Sequence, residues 1–131
     1  MVWYLDTSAF LKLITLEEES QAMRLWFRSH SPIWSSHLLH TEALRAGMRL
    51  GISNDSIEDV LDAVSLILPS STTFLVAGQL SSSTLRSLDA LHLATAMEIG
   101  SDLEGMITYD DRLIEEARST SIKVYSPTNK K

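Results

Sequence analysis

Cysteine is absent from the 131-residue chain, so neither a disulfide framework nor a thiolate metal site can form, which suits a reducing compartment and makes the cytoplasm the expected location. Long apolar runs are missing as well. No stretch approaches the roughly eighteen residues that span a bilayer, and the opening Met1-Val2-Trp3-Tyr4-Leu5-Asp6 lacks the basic region of a secretory signal, so no association with a membrane is expected. Positive charge is scarce: 11 Lys and Arg against 17 Asp and Glu leave a formal net charge of -6. Phosphate binding normally draws on an excess of basic side chains, so this balance argues against general nucleic-acid affinity. The argument weakens if many carboxylates converge, because divalent cations held among them cancel negative charge where a phosphate would sit. Internal repeats and low-complexity linkers are also lacking. What is present, 44% apolar and 21% charged residues, is the composition of one ordinary globular domain. A chain of this length buries roughly two-thirds of its unfolded surface.

Val2-Trp3-Tyr4-Leu5 is a short apolar run that ends at Asp6, the pattern of a strand covered on both faces. Thr7 and Ser8 offer N-cap hydroxyls for a helix through Ile14, and Glu17 to Glu19 open a second helix to about Ser29. A strand is expected over 32–35 and a helix over 38–50, stopped by Gly51 and carrying Glu42. Ile57, Val60, Leu61, Val64 and Leu68 repeat at helical spacing, which predicts a helix over 54–68. Short and long helices follow over 74–80 and 86–99, the second with Asp89 in its first turn. Strands over 106–109 and 122–125 flank a helix over 113–118, and 126–131 reads as a frayed tail. The alternation predicts an α/β fold over residues 1–131, a mostly parallel sheet with helices on both faces. Such folds place their sites at the carboxyl ends of strands, where Asp6 and Asp110 fall.

Two carboxylates at strand ends, with Glu42 and Asp89 on helices able to face the same crevice, make a candidate site. Like charges about 4 Å apart repel by roughly 4 kcal/mol at an effective dielectric of 20, so four clustered carboxylates call for a cation. Oxygen ligands favour Mg²⁺ or Mn²⁺, and such an ion keeps waters that can be activated against a phosphodiester. Each acid also has a plainer use. Asp6 suits a turn or cap, Glu42 a solvated helix face, Asp89 the dipole of a helix N-terminus, and Asp110 or Asp111 the cap of the next helix. His92 suits a hydrogen-bonded structural role better than a ligand's. Arg45 and Arg86 can meet phosphate, but pairing with Glu42 and Asp89 is the better expectation. Trp3, Trp26 and Trp34 read as core.

Leu5-Asp6-Thr7-Ser8-Ala9, Thr41-Glu42-Ala43-Leu44-Arg45, the run from Leu85 through Asp89-Ala90-Leu91-His92 to Ala96, and Ile107-Thr108-Tyr109-Asp110 together resemble the PIN-domain pattern of VapC-type toxins. Each motif is short, but four occur in order across nearly the whole chain. The resemblance implies that Asp6, Glu42, Asp89 and Asp110 form an acidic metal-binding and catalytic quartet, supported by the hydroxyls of Ser8 and Thr108. It also implies RNA hydrolysis with Mg²⁺ or Mn²⁺, restraint by a cognate antitoxin, and a homodimer, for which the helices between residues 17 and 66 are the expected apolar surface. Three alternatives fit less well. A phosphoacceptor receiver domain needs paired acids after the first strand, where Thr7 and Ser8 stand. A haloacid-dehalogenase-like phosphatase needs a second Asp at position 8. A non-catalytic PIN scaffold acting only through protein partners would be expected to have lost at least one of the four acids.

Overall fold

The computed structural model describes residues 1–129. Five strands, β1 (Val2–Leu5), β2 (Ile33–Ser36), β3 (Ser65–Ile67), β4 (Leu103–Ile107) and β5 (Val124–Tyr125), form one sheet in the order β3-β2-β1-β4-β5. Every neighbouring pair is parallel. Seven α-helices connect them: α1 (Thr7–Ile14), α2 (Ser20–Ser29), α3 (Leu38–Leu50), α4 (Asn54–Leu61), α5 (Ser71–Gly78), α6 (Ser87–Ile99) and α7 (Asp111–Ser119). The expected α/β class with helices on both faces is the observed one.

Alternation along the central strands divides the core. Tyr4 and Met106 point to one face, where they meet Leu93 of α6 and Leu113 of α7. Leu5 and Ile107 point to the other and join Phe10, Met23, Leu39 and Ile57 from α1 to α4. A sheet covered on both sides needs such continuous apolar strands, which is why β1 and β4 carry almost no polar residue. Trp3 and Trp26 pack edge to face, 5.3 Å between centroids, as expected of core aromatics.

Three expectations need correction. The helix expected over 54–68 ends at Leu61, and Ser65–Ile67 instead forms the edge strand β3, paired with β2 through Trp34 and Ser65. Leu68, which the helical period would bury, is instead 77% exposed. The free edge of β2 then offers a backbone partner that the local pattern does not reveal. The strand expected over 106–109 lies at 103–107, so Thr108 to Asp110 form the turn after β4 rather than its end. The expected frayed tail is tied down over its described part. The Ser126 hydroxyl donates to the Thr108 carbonyl at 2.5 Å, Tyr109 donates to the Pro127 carbonyl at 2.5 Å, and Asn129 donates to the Glu18 carbonyl at 2.7 Å. Lys130 and Lys131 lie outside the described residues.

Candidate functional site

The chain leaves β1, the middle strand, at Asp6 and turns at once into α1. The Asp6 carboxylate accepts the Ala9 N–H at 3.0 Å and caps that helix, a role expected of Thr7 or Ser8 and worth about 1 kcal/mol. The two hydroxyls are thereby released to the site. Ser8 donates to both Asp6 oxygens, at 2.8 and 3.0 Å, and accepts the Tyr109 N–H at 2.9 Å. Thr108 donates to Asp6 Oδ2 at 2.6 Å and accepts the Asp110 N–H at 3.1 Å. Ser8 and Thr108 thus tie the end of β1 to the turn after β4. Asp6 is only 2% exposed. Burial pushes its carboxyl up to about 6, against the pull of the hydrogen bonds from the Thr108 hydroxyl, the Ala9 N–H and Ser8.

Glu42 reaches the same region from α3. Its Oε1 receives the Thr7 hydroxyl at 2.7 Å and lies 2.7 Å from His92 Nε2. Burial pulls Glu42 upward, but the hydrogen bonds of His92 and the Thr7 hydroxyl outweigh it, leaving the carboxyl below its ordinary value. Asp89, in the first turn of α6, is half-buried and raised, first by burial, then by the negative charges of Asp110 and Glu42; Arg86 pulls the other way without prevailing. Asp110 is half-buried after β4. All four acids therefore collect at the carboxyl edge of the sheet, where Asp89 feels the charge of two others.

Of the two acids able to cap the helix after β4, the first does so. Asp110 accepts the Leu113 N–H at 3.0 Å and is the N-cap of α7, while Asp111 is exposed as its first residue. Neither Arg45 nor Arg86 closes an ion pair with its neighbouring acid among the described residues, and both are exposed, so the expected pairings do not form. His92 is hydrogen-bonded and buried as expected, but its partner is one of the four candidate acids. Thr7 and Tyr4 join that network without having been singled out by sequence. Thr7 carried a signal in being a second hydroxyl after Asp6, whereas Tyr4 is indistinguishable from any strand aromatic.

The donor set suits a hard divalent cation, since every candidate ligand is a carboxylate oxygen. The crowding of negative charge around Asp89 and the raised carboxyl of Asp6 are what a cation would relieve. Among the described residues, however, no three His, Asp or Glu side chains stand close enough together to hold an ion as they are placed. The fit is one of chemistry and charge, without a closed coordination shell.

A family model described as PIN domain matches residues 3–118. Ribonuclease VapC46 of Mycobacterium tuberculosis is 38% identical over 126 residues, covering 95% of this chain and 97% of that protein. In fold, the chain is similar to the crystal structure of Mycobacterium tuberculosis VapC20, described as a sarcin-ricin loop cleaving toxin, with a TM-score of 0.76 at 12% identity over 95% of this chain and 99% of that one. It is likewise similar to a chain of a toxin-antitoxin complex from Klebsiella pneumoniae, with a TM-score of 0.72 at 17% identity over 95% and 96% of the two chains.

Proposed function

The chain belongs to the PIN-domain family, and from that premise we propose that it is a metal-dependent endoribonuclease, the toxin of a toxin-antitoxin pair acting in the cytoplasm. The observation that carries the reading is the collection of Asp6, Glu42, Asp89 and Asp110 at one edge of the sheet, close enough for Asp110 and Glu42 to raise Asp89. The name of the 38%-identical relative, a ribonuclease, supports RNA as substrate. Among the described residues no helix is long and apolar enough to cross a membrane.

In this reading the four carboxylates would hold Mg²⁺ or Mn²⁺. Bound there, the ion would supply an activated water and offset the charge of the phosphodiester. The chain's own residues prepare the site. Ser8 and Thr108 fix Asp6 and brace the turn that carries Asp110, and Thr7 and His92 hold Glu42. Arg45 and Arg86, exposed beside Glu42 and Asp89 in sequence and free of ion pairs with them, are available to a substrate phosphate.

Toxin-antitoxin pairing is supported by the toxin-antitoxin complex from Klebsiella pneumoniae among the fold relatives. The chain exposes Leu25, Met48 and Leu50 within the helical region expected to meet an antitoxin or a second copy, and also Phe74, Leu75 and Leu88 outside it. A homodimer requires twice the chain mass by light scattering at roughly ten micromolar, well above the dissociation constant of a stable interface. A monomeric mass that persists at low salt would refute the dimer.

Thermal melts test the metal. An ion at about 100 times its dissociation constant adds about 2.7 kcal/mol if it binds only the native state, roughly 8 °C of melting temperature. Millimolar Mg²⁺ or Mn²⁺ should produce that rise and permit RNA cleavage, and a chelator should abolish both. The absence of a closed ligand trio favours one rival, the PIN scaffold that acts only through protein partners. A melt indifferent to both ions, with no cleavage, would decide for that rival.

A further inference from the structure

The hydrogen bonds through His92 have a direction. Tyr4 is fully buried, and a buried phenol O–H needs an acceptor. His92 Nδ1 lies 2.7 Å from that oxygen. The nearby hydroxyls of Ser35 and Thr95 donate their own protons to the carbonyls of Leu5 and Leu91, at 2.5 and 2.7 Å. At the far side of the ring, Glu42 Oε1 belongs to a carboxylate, which only accepts, and Nε2 faces it at 2.7 Å. A proton arriving at Nδ1 from Tyr4 and one leaving Nε2 toward Glu42 describe a single neutral tautomer.

We propose that Tyr4 and His92 are a positioning pair for Glu42: the Tyr4 phenol donates to Nδ1 and fixes the ring as the Nε2–H tautomer, whose N–H pins Glu42 Oε1. The proposal rests on the reading of Glu42 as a site carboxylate. Thr7 and His92 both bind Oε1, leaving Oε2 as the oxygen to take a ligand. Glutamate loses much rotamer freedom on ordering, and a side chain pinned beforehand spares that loss at the binding step. A buried aromatic on the central strand thereby reaches the site through one imidazole, the arrangement by which outer partners orient ligands. Neither residue is a catalytic residue in this scheme.

The tautomer can be read directly from long-range proton–nitrogen correlation spectra of ¹⁵N-labelled, metal-free protein, with His92 assigned by the signals lost in H92Q. The expected spectrum shows a protonated Nε2 and a bare Nδ1, and in Y4F the Nδ1 signal should shift to that of a nitrogen accepting no hydrogen bond while Glu42 still holds the Nε2 proton. A ring protonated at Nδ1, or at both nitrogens with the phenol proton passed to Ser35 or Thr95, overturns the proposal. A matched pair of variants tests the consequence. Gln places an amide N–H near the position of Nε2 and Asn near that of Nδ1, with similar chemistry in the same buried space. H92N should cleave RNA and bind Mn²⁺ at least about tenfold more weakly than H92Q, the scale for removing a partner that orients a ligand. Equal values for folded variants would leave His92 a packing residue and sink the idea. If either variant fails to fold, the wild-type and Y4F spectra still decide. The spectra need neither RNA nor metal, so a wild-type chain that cleaves nothing would end the ribonuclease reading without touching this test.

Discussion

Asp6→Asn protein should cleave RNA at least about a hundredfold more slowly than the parent, the scale of losing one preorganised charge-stabilising group, while its metal-free fold becomes more stable at neutral pH. The two effects have one cause. Burial holds the Asp6 carboxyl at about 6, above its ordinary 3.8. Between about pH 4 and 6 the folded chain binds this proton more readily than the unfolded chain, so stability falls as pH rises through that window. Above pH 6 the cost of the buried charge is complete, on the order of 3 kcal/mol. Asparagine still accepts the Ala9 N–H and caps α1, and its amide can donate to Ser8 or Thr108 once their hydroxyls rotate. In chelator at pH 7, Asp6→Asn should therefore melt higher than the parent, the gain fading toward pH 4. Mg²⁺ or Mn²⁺ should reverse the ranking, because the ion stabilises the charged carboxylate and gains little from the amide. Denaturant melts at pH 4 and 7, with and without ion, measure all four values. A variant that is less stable than the parent in chelator at pH 7 would show that the carboxylate is held for its hydrogen bonds and that its burial carries no such cost.

The adjacent acids after β4 should separate activity from stability. Asp110→Asn keeps the cap of α7, since asparagine caps as well as aspartate, so its melting temperature should stay near the parent's. It removes one of the charges that raise Asp89, and RNA cleavage should fall at least about tenfold, the equivalent of 1.4 kcal/mol of transition-state stabilisation. Asp111→Asn should do the converse. It loses an exposed negative charge in the first turn of α7, at most about 1 kcal/mol, and leaves cleavage near the parent rate. Paired melting and cleavage measurements on the two variants check this. Parent-level cleavage by Asp110→Asn with an inactive Asp111→Asn would mean that the site uses the exposed acid.

The order of strands and helices apart from β3, the parallel class and the candidate acids were legible in the residues because each rests on local chemistry. Val2 to Leu5 have to be buried on two faces, Gly51 stops α3 by taking a left-handed conformation, and Asp6 can only stand at the end of its strand. Four short acidic motifs in order were enough to point to the PIN family, although no single spacing among them was specific. What remained hidden depends on groups far apart in the chain. Ser65–Ile67 became a strand because β2 had an open edge, a tertiary fact that outweighed a weak helical period. Asp110 became the cap and Asp111 did not, because β4 ended two residues earlier than its apolar run implied and set the turn by its pairing with β1. Tyr4 and His92, 88 positions apart, meet only when α6 packs on the face of β1 to which Tyr4 points. Composition and period can specify which side chains must be buried. Which buried proton faces which acceptor is settled only by the packing of α6 against the sheet, because a hydrogen bond tolerates a few tenths of an ångström and a sequence pattern carries no distances.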